Sequence, residues 1–195
     1  MQAHALRAAA LAPLLALAAC APDPRPAPRA EGGVVVQVFS DPQCWACRRF
    51  YLENLKPAMA ELGGRGVRVE HHLLTYYEHA RAASSLVLAG ERLGPGGSER
   101  VLGAVFETQA EWAEDGDVAG ALARSFSPDE LAALRTHAAS PGVAATLARE
   151  AALAERSGVT RTPTVYVLSG GERHRVPSTV QYPIFRRYLN SRLEE

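Results

Sequence analysis

Cys44 and Cys47, in the stretch Ser40-Asp41-Pro42-Gln43-Cys44-Trp45-Ala46-Cys47, are two thiols three positions apart in a chain with three cysteines. That spacing is compatible with three kinds of chemistry: a reversible dithiol–disulfide couple, half of a metal site, or two inert buried thiols. Structural zinc usually takes four ligands, and the only adjacent candidates are His71 and His72. Neighbours on a strand point to opposite faces, so at most one of them could join the cysteines. We read these histidines as one surface residue and one packed residue. A soft cation such as Cu(I), for which two thiolates are suitable ligands, stays open as an alternative.

The third cysteine narrows the choice. Residues 1–19 carry one positive charge, Arg7, followed by an apolar run from Ala8 to Ala19. The run is short of the ~20 residues a membrane span needs, but it suits the core of a signal peptide. It ends in Leu17-Ala18-Ala19-Cys20, which resembles the lipobox of bacterial lipoproteins. That resemblance implies acylation of the Cys20 thiol and cleavage just before it. The proline-rich residues 20–33 then read as an extended tether between a lipid anchor and a domain beginning near Val34. With Cys20 acylated, Cys44 and Cys47 are the only thiols left, in a cell-envelope compartment that permits disulfides.

The elements that must position the pair follow from patterning. Val34–Ser40 is an apolar, β-branched run that reads as a buried strand. From Trp45 the apolar period is helical (Phe50, Leu55, Met59 and Leu62) until Gly63-Gly64, with a kink expected at Pro57. Residues 66–74 read as a second strand. Residues 76–157 read as helix after helix: about 80–93, one capped by Ser98 and running to about Ala113, and a short one capped by Asp117. Ser127-Pro128-Asp129-Glu130 is a capping box, Ser140-Pro141 opens the last helix, and Gly158 ends it. A strand from Thr164 to Leu168, a Gly170-Gly171 hairpin turn into residues 172–176, and a helix over 182–193 complete the chain. Ile184, Phe185, Tyr188 and Leu189 are expected to form the inner face of that last helix.

A cysteine pair directly after a buried strand, at the start of a helix, has a physical logic. Unpaired N–H groups and the positive end of the helix dipole stabilise a thiolate there. The pattern of residues 38–47 together with Gly158–Val167 resembles the thioredoxin-fold thiol–disulfide oxidoreductases, specifically the DsbA-like group. The resemblance covers residues 34–193. It implies an α/β thioredoxin domain (residues 34–75 and 158–195) carrying an all-helical insertion (residues 76–157). It makes Cys44 the attacking thiol and Cys47 the resolving one, with Trp45-Ala46 as the intervening dipeptide. It makes Thr162-Pro163 a cis-proline pair whose backbone binds an extended substrate. The implied activity is disulfide exchange with cysteine-containing protein substrates, with a membrane redox partner to recycle the dithiol. The implied redox centre is the Cys44–Cys47 disulfide itself, with no organic cofactor. Two positions depart from the pattern. The buried acid that many relatives carry six residues before the first cysteine is Val38 here, beside the uncharged Gln37. Arg161 stands where relatives often have glycine; it either adds positive potential near Cys44 or points to solvent, and we expect solvent.

Composition excludes other classes. Twenty-one basic residues balance 21 acidic ones, so no net field favours nucleic acid. No glycine-rich phosphate loop or nucleophile elbow is present. Trp112 reads as core of the helical block and Trp45 as surface. Tyr76 and Tyr77 read as lining a groove between the two lobes or packing their junction.

Overall fold

The computed structural model describes residues 33–194. The expected signal peptide, Cys20 and nearly all of the tether lie outside the described residues. None of the helices described is long and apolar enough to cross a membrane.

The sheet is built around β1 (Val34–Ser40), all seven residues of which are buried. β1 pairs in parallel with β2 (Val67–Leu73), in register from Val34 opposite Val67 to Ser40 opposite Leu73. On its other side it pairs antiparallel with β3 (Thr164–Ser169), and β3 pairs antiparallel with β4 (Glu172–Val176). The order is therefore β2-β1-β3-β4. The β3–β4 turn rests on Gly170 and Gly171, both at positive φ (55° and 82°), the signature of a type I′ hairpin. Val34, Val36, Val38, Val165 and Val167 pack with Phe50, Leu55 and Leu62 and with Phe185 and Leu189 of the terminal helix. On the opposite face, Phe39 and Leu74 meet Ala154 and Val159.

The helix after β1 starts as α1 (Trp45–Phe50) and ends as α2 (Lys56–Leu62), joined by a π-helical stretch over Tyr51–Leu55. The break expected at Pro57 is thus absorbed one turn earlier. Widening that turn relieves the clash and missing donor of the proline, which sits in the first turn of α2.

The helical insertion lies between β2 and β3. It comprises α3 (Ala80–Ala89), α4 (Gly97–Glu107), α5 (Gln109–Trp112), α6 (Val118–Ala121), α7 (Pro128–Ala138) and α8 (Pro141–Arg156), with short 3₁₀ turns after α3 and α6. Its core holds Leu102, Phe106, Trp112, Leu122 and Leu134. Asp117, Ser127 and Ser140 cap their helices through side-chain oxygens, Ser127 and Glu130 forming the full capping box. Gly158 (φ 65°) ends α8 in a Schellman turn, with Val159 N–H bonded to the Ala154 carbonyl and Gly158 N–H to that of Glu155.

Three sequence expectations need correction here. Ser98 is not a cap: α4 begins at Gly97 after Gly96 in the left-handed region. Gly97 crosses the backbone of Gly90 so closely that an added Cβ would lie 2.1 Å from the Gly90 carbonyl oxygen. The helix expected to reach Ala113 breaks at Thr108, whose hydroxyl bonds back to the Ala104 carbonyl at 2.8 Å, a competitor for the helical ladder. Ile184 is 57% exposed. In α9 (Tyr182–Leu193) only Phe185 and Leu189 are fully buried, and Ile184 lies a full 100° from Phe185 around the helix.

Candidate active site

Cys44 ends the turn after β1 and is the N-cap of α1, with extended backbone (φ −70°, ψ 118°). Its sulfur takes the capping role usually filled by oxygen, accepting from Cys47 N–H at 3.4 Å. Both cysteines are free thiols, with Cys44 5% and Cys47 2% exposed. They do not belong to the core of the sheet. They pack into the cluster of the helical insertion, with Leu73.

Electrostatically the two sulfurs are driven apart. The Cys44 pKa is pulled down from 9.0 to about 6, first by the hydrogen bond from the Cys47 thiol, against the cost of burial, then by the Thr162 side chain and the backbone N–H groups of Cys47 and Ala46. Burial pushes the Cys47 thiol far up, and the Cys44 sulfur beside it adds to that. Asp41 N–H donates to the Cys47 sulfur at 3.5 Å. The pair therefore presents one thiolate and one thiol at neutral pH, the arrangement that nucleophilic attack and later resolution require.

Across from Cys44 lies the turn before β3. The Thr162–Pro163 peptide bond is cis, and in its protonated form the Cys44 thiol donates to the Thr162 carbonyl at 3.6 Å, a bond the thiolate gives up. Thr164 Oγ1 donates to the Arg161 carbonyl at 2.8 Å and braces the loop. Beside it runs a groove of about 430 Å³, lined by Ala46, Arg161, Thr162, Pro163, Arg175 and Thr179 among others. Trp45 is 63% exposed, its ring 5.3 Å from the Arg49 guanidinium carbon. Tyr76 and Tyr77 are also exposed, and the Cys44 charge raises the Tyr77 pKa.

A thioredoxin family profile matches residues 29–181. The chain belongs to the thioredoxin family. Solved structures share its fold with the helical insertion. A thioredoxin-like oxidoreductase from Silicibacter pomeroyi DSS-3 superposes with a TM-score of 0.67 at 22% identity, covering 85% of this chain and 89% of that one. Wolbachia pipientis alpha-DsbA1 does so with a TM-score of 0.67 at 15% identity, over 84% and 87%. The cytosolic disulfide reductase DsbM of Pseudomonas aeruginosa gives 0.62 at 16% identity, over 82% and 98%. A comparison with curated protein sequences found no match. Family and fold together make the chain a thioredoxin-fold protein with a helical insertion and a CxxC pair at the start of α1.

Neither histidine reaches the cysteines. His72 stacks on Phe39 at 4.6 Å, and its Nδ1 lies 2.6 Å from Glu150 of α8. His71 is not the surface residue expected: its ring sits 6.0 Å from that of Tyr51, and burial lowers its pKa to about 4. The strand does separate them onto opposite faces, but each face is covered, by α8 on one side and the π-helical turn on the other. Among the described residues no three His, Cys, Asp or Glu side chains are grouped to hold a metal ion. Val38 is buried in the sheet core, and Gln37 accepts from Arg173 at 2.8 Å.

Sequence reasoning missed three positioning residues. Asp41 is fully buried, and its carboxylate accepts from the N–H groups of Gln43 (2.8 Å), Tyr76 (2.7 Å) and Tyr77 (3.2 Å). It ties the active-site turn to the start of the insertion. Burial raises its pKa, opposed by those backbone donors. Its bond to the Gln43 N–H is an Asx-turn, which an Asp within a turn sequence does signal. The Gln43 amide donates to the Ala113 carbonyl and accepts from His79 N–H. Gln109, buried in the insertion, donates to the carbonyls of Pro42 (2.6 Å) and Cys44 (3.2 Å). Nothing in the local sequence marks Gln109, because its partners lie more than sixty residues away.

Proposed function

We propose that this chain is an extracytoplasmic, lipid-anchored oxidoreductase that exchanges disulfides with cysteines of other proteins through Cys44 and Cys47. The observation that carries the exchange is the opposed pair of sulfurs. Cys44 is a stabilised thiolate facing the Thr162-Pro163 loop, and Cys47 is a protonated thiol held behind it. In the reducing direction, the Cys44 thiolate attacks a substrate disulfide and releases one substrate thiolate. Cys47, losing its proton, then attacks Cys44 Sγ, releases the second thiolate and closes the Cys44–Cys47 disulfide. Two electrons pass to the substrate. The oxidising direction is the reverse, starting with a substrate thiolate attacking Cys44 Sγ and expelling Cys47. A membrane redox partner restores the starting state.

Support for the location comes from the sequence alone, from the apolar run before Leu17-Ala18-Ala19-Cys20. Palmitate labelling of the full chain, lost on Cys20→Ala, tests the anchor. Exchange is tested with Cys47→Ser in cells: partner proteins should accumulate as disulfides on Cys44 and be released by dithiothreitol. A Cu(I)-binding module would trap none.

A further inference from the structure

The groove beside the cis-proline loop has a charge of its own. Arg161 and Arg175 both line it, together with Thr162, Thr164, Ser178 and Thr179, and no carboxylate does. Both arginines are exposed. Elsewhere on the same hairpin the basic side chains are engaged. Arg173 donates to Gln37 and lies over the Tyr166 ring at 3.5 Å, and His174 pairs with Glu172 at 2.9 Å. For Arg161 and Arg175, no ion pair is formed among the described residues. Arg161 extends from the turn that holds Thr162, whose carbonyl is 3.6 Å from Cys44 Sγ. Arg175 comes from β4, across the groove. A chain laid along the loop with its cysteine at Cys44 therefore enters a groove that holds two guanidiniums without an ion pair among the described residues.

We propose that Arg161 and Arg175 are specificity-determining residues that select cysteine segments carrying acidic side chains next to the reacting cysteine. The occupant is an extended, acidic segment of a protein substrate, and the assignment rests on the exchange reading above. An extended chain advances ~3.4 Å per residue, so carboxylates one to three positions from the cysteine come within reach. Guanidinium is suited to them because its planar fork matches a carboxylate with two parallel hydrogen bonds. The selection is assigned to this groove, which holds two guanidiniums and is lined by no carboxylate among the described residues.

The test uses the Cys47→Ser protein and symmetrical disulfides of three five-residue peptides with a central cysteine flanked by Asp, Asn or Lys. The Cys44 thiolate attacks the peptide disulfide, forms one protein–peptide disulfide and releases one peptide thiolate. Mass spectrometry counts the adduct. Each rate is divided by that of 2-mercaptoethanol with the same peptide, which removes the effect of the flanks on the leaving thiolate. The expected order is Asp, then Asn, then Lys, with roughly two- to fivefold between steps, as exposed ion pairs allow. The preference should collapse in 0.5 M salt, where the Debye length is only a few ångströms. Arg161→Glu with Arg175→Glu should reverse the order of the three peptides. Arg65→Glu, at the far end of the sheet, should leave the order intact. Equal rates for the three peptides, or the same order in the double variant, would overturn the selectivity while leaving exchange standing. Failure of Cys47→Ser to react even with hydroxyethyl disulfide would overturn exchange itself.

Discussion

Acidifying the protein should change how its redox potential responds to pH, and the sulfur geometry sets where. A two-electron dithiol couple that takes up two protons falls by about 59 mV per pH unit, and one that takes up a single proton by about 30 mV. Cys44 is depressed to about 6, while Cys47 stays protonated across the working range. The slope should therefore pass from about −59 mV per unit below pH 6 to about −30 mV above it. At pH 7 about 90% of Cys44 is thiolate, against about 1% for a thiol at 9.0. The sign for stability follows. In the reduced fold, Cys44 lies below its unfolded value of 9.0, so its stabilising contribution is complete above that pH and is lost as pH falls through about 6. The disulfide form has no such group, so acidification lowers the unfolding free energy of the reduced form through Cys44 and leaves that of the disulfide form without this contribution. Equilibration with glutathione or dithiothreitol between pH 5 and 8, read by thiol alkylation, measures the slope. Cys47→Ala removes the leading donor to the Cys44 sulfur. A charge-assisted hydrogen bond contributes roughly 1.5–3 kcal/mol, so the alkylation pKa of Cys44 should climb by about one to two units. A single slope near −59 mV from pH 5 to 8, or an unchanged Cys44 pKa in Cys47→Ala, would refute the account of the site.

Asp41→Ala strands three backbone donors at the seam between lobes and should cost about 3 kcal/mol in urea unfolding; a loss under 0.5 kcal/mol would show that those bonds are replaceable by water. Gln109→Ala should destabilise by about 1–3 kcal/mol and also move the Cys44 alkylation pKa, since it frees the Cys44 carbonyl; Gln109→Leu, which fills the volume, should move it equally. Gly97→Ala places a methyl against the Gly90 carbonyl and should lower stability by about 1–3 kcal/mol, whereas Gly64→Ala, which meets nothing within 4 Å, should not. Trp45→Ala should leave stability within about 0.5 kcal/mol, and thermal unfolding checks it.

Elements held by local chemistry were readable in the chain. The run Val34–Ser40 declares a strand buried on both faces, and the capping residues Asp117, Ser127 and Ser140 start helices where their oxygens meet free N–H groups. Two motifs over a hundred residues apart disclosed the thioredoxin arrangement. What escaped were features made by distant crossing. Ser98 has the right chemistry for a cap, but the Gly90–Gly97 contact sets where α4 begins. The periodicity around Ile184 does not reveal which face of α9 the sheet covers. His71 looked free for solvent until the π-helical turn at Tyr51 closed over it. At the site, the cysteines and the Thr162-Pro163 turn were visible by motif. Gln109 was not, because a buried amide answering two carbonyls has no sequence period of its own.

The helical insertion is stitched to the catalytic turn where it begins, and its two ends are tied to each other. Where it begins, Tyr76 and Tyr77 give their amides to Asp41. Where it ends, Val159 is fixed by the Schellman turn and accepts from the Tyr76 hydroxyl at 3.4 Å, with only Thr160 and Arg161 between it and Thr162. For protein engineering this means the insertion is no detachable module. Replacing it with a short linker would leave the sheet topology intact yet take away the partners of Asp41, Gln43 and the Cys44 carbonyl together. A minimised redox scaffold cut from this chain must carry substitutes for those three anchors, and grafts of foreign helical blocks should be chosen by whether they supply them.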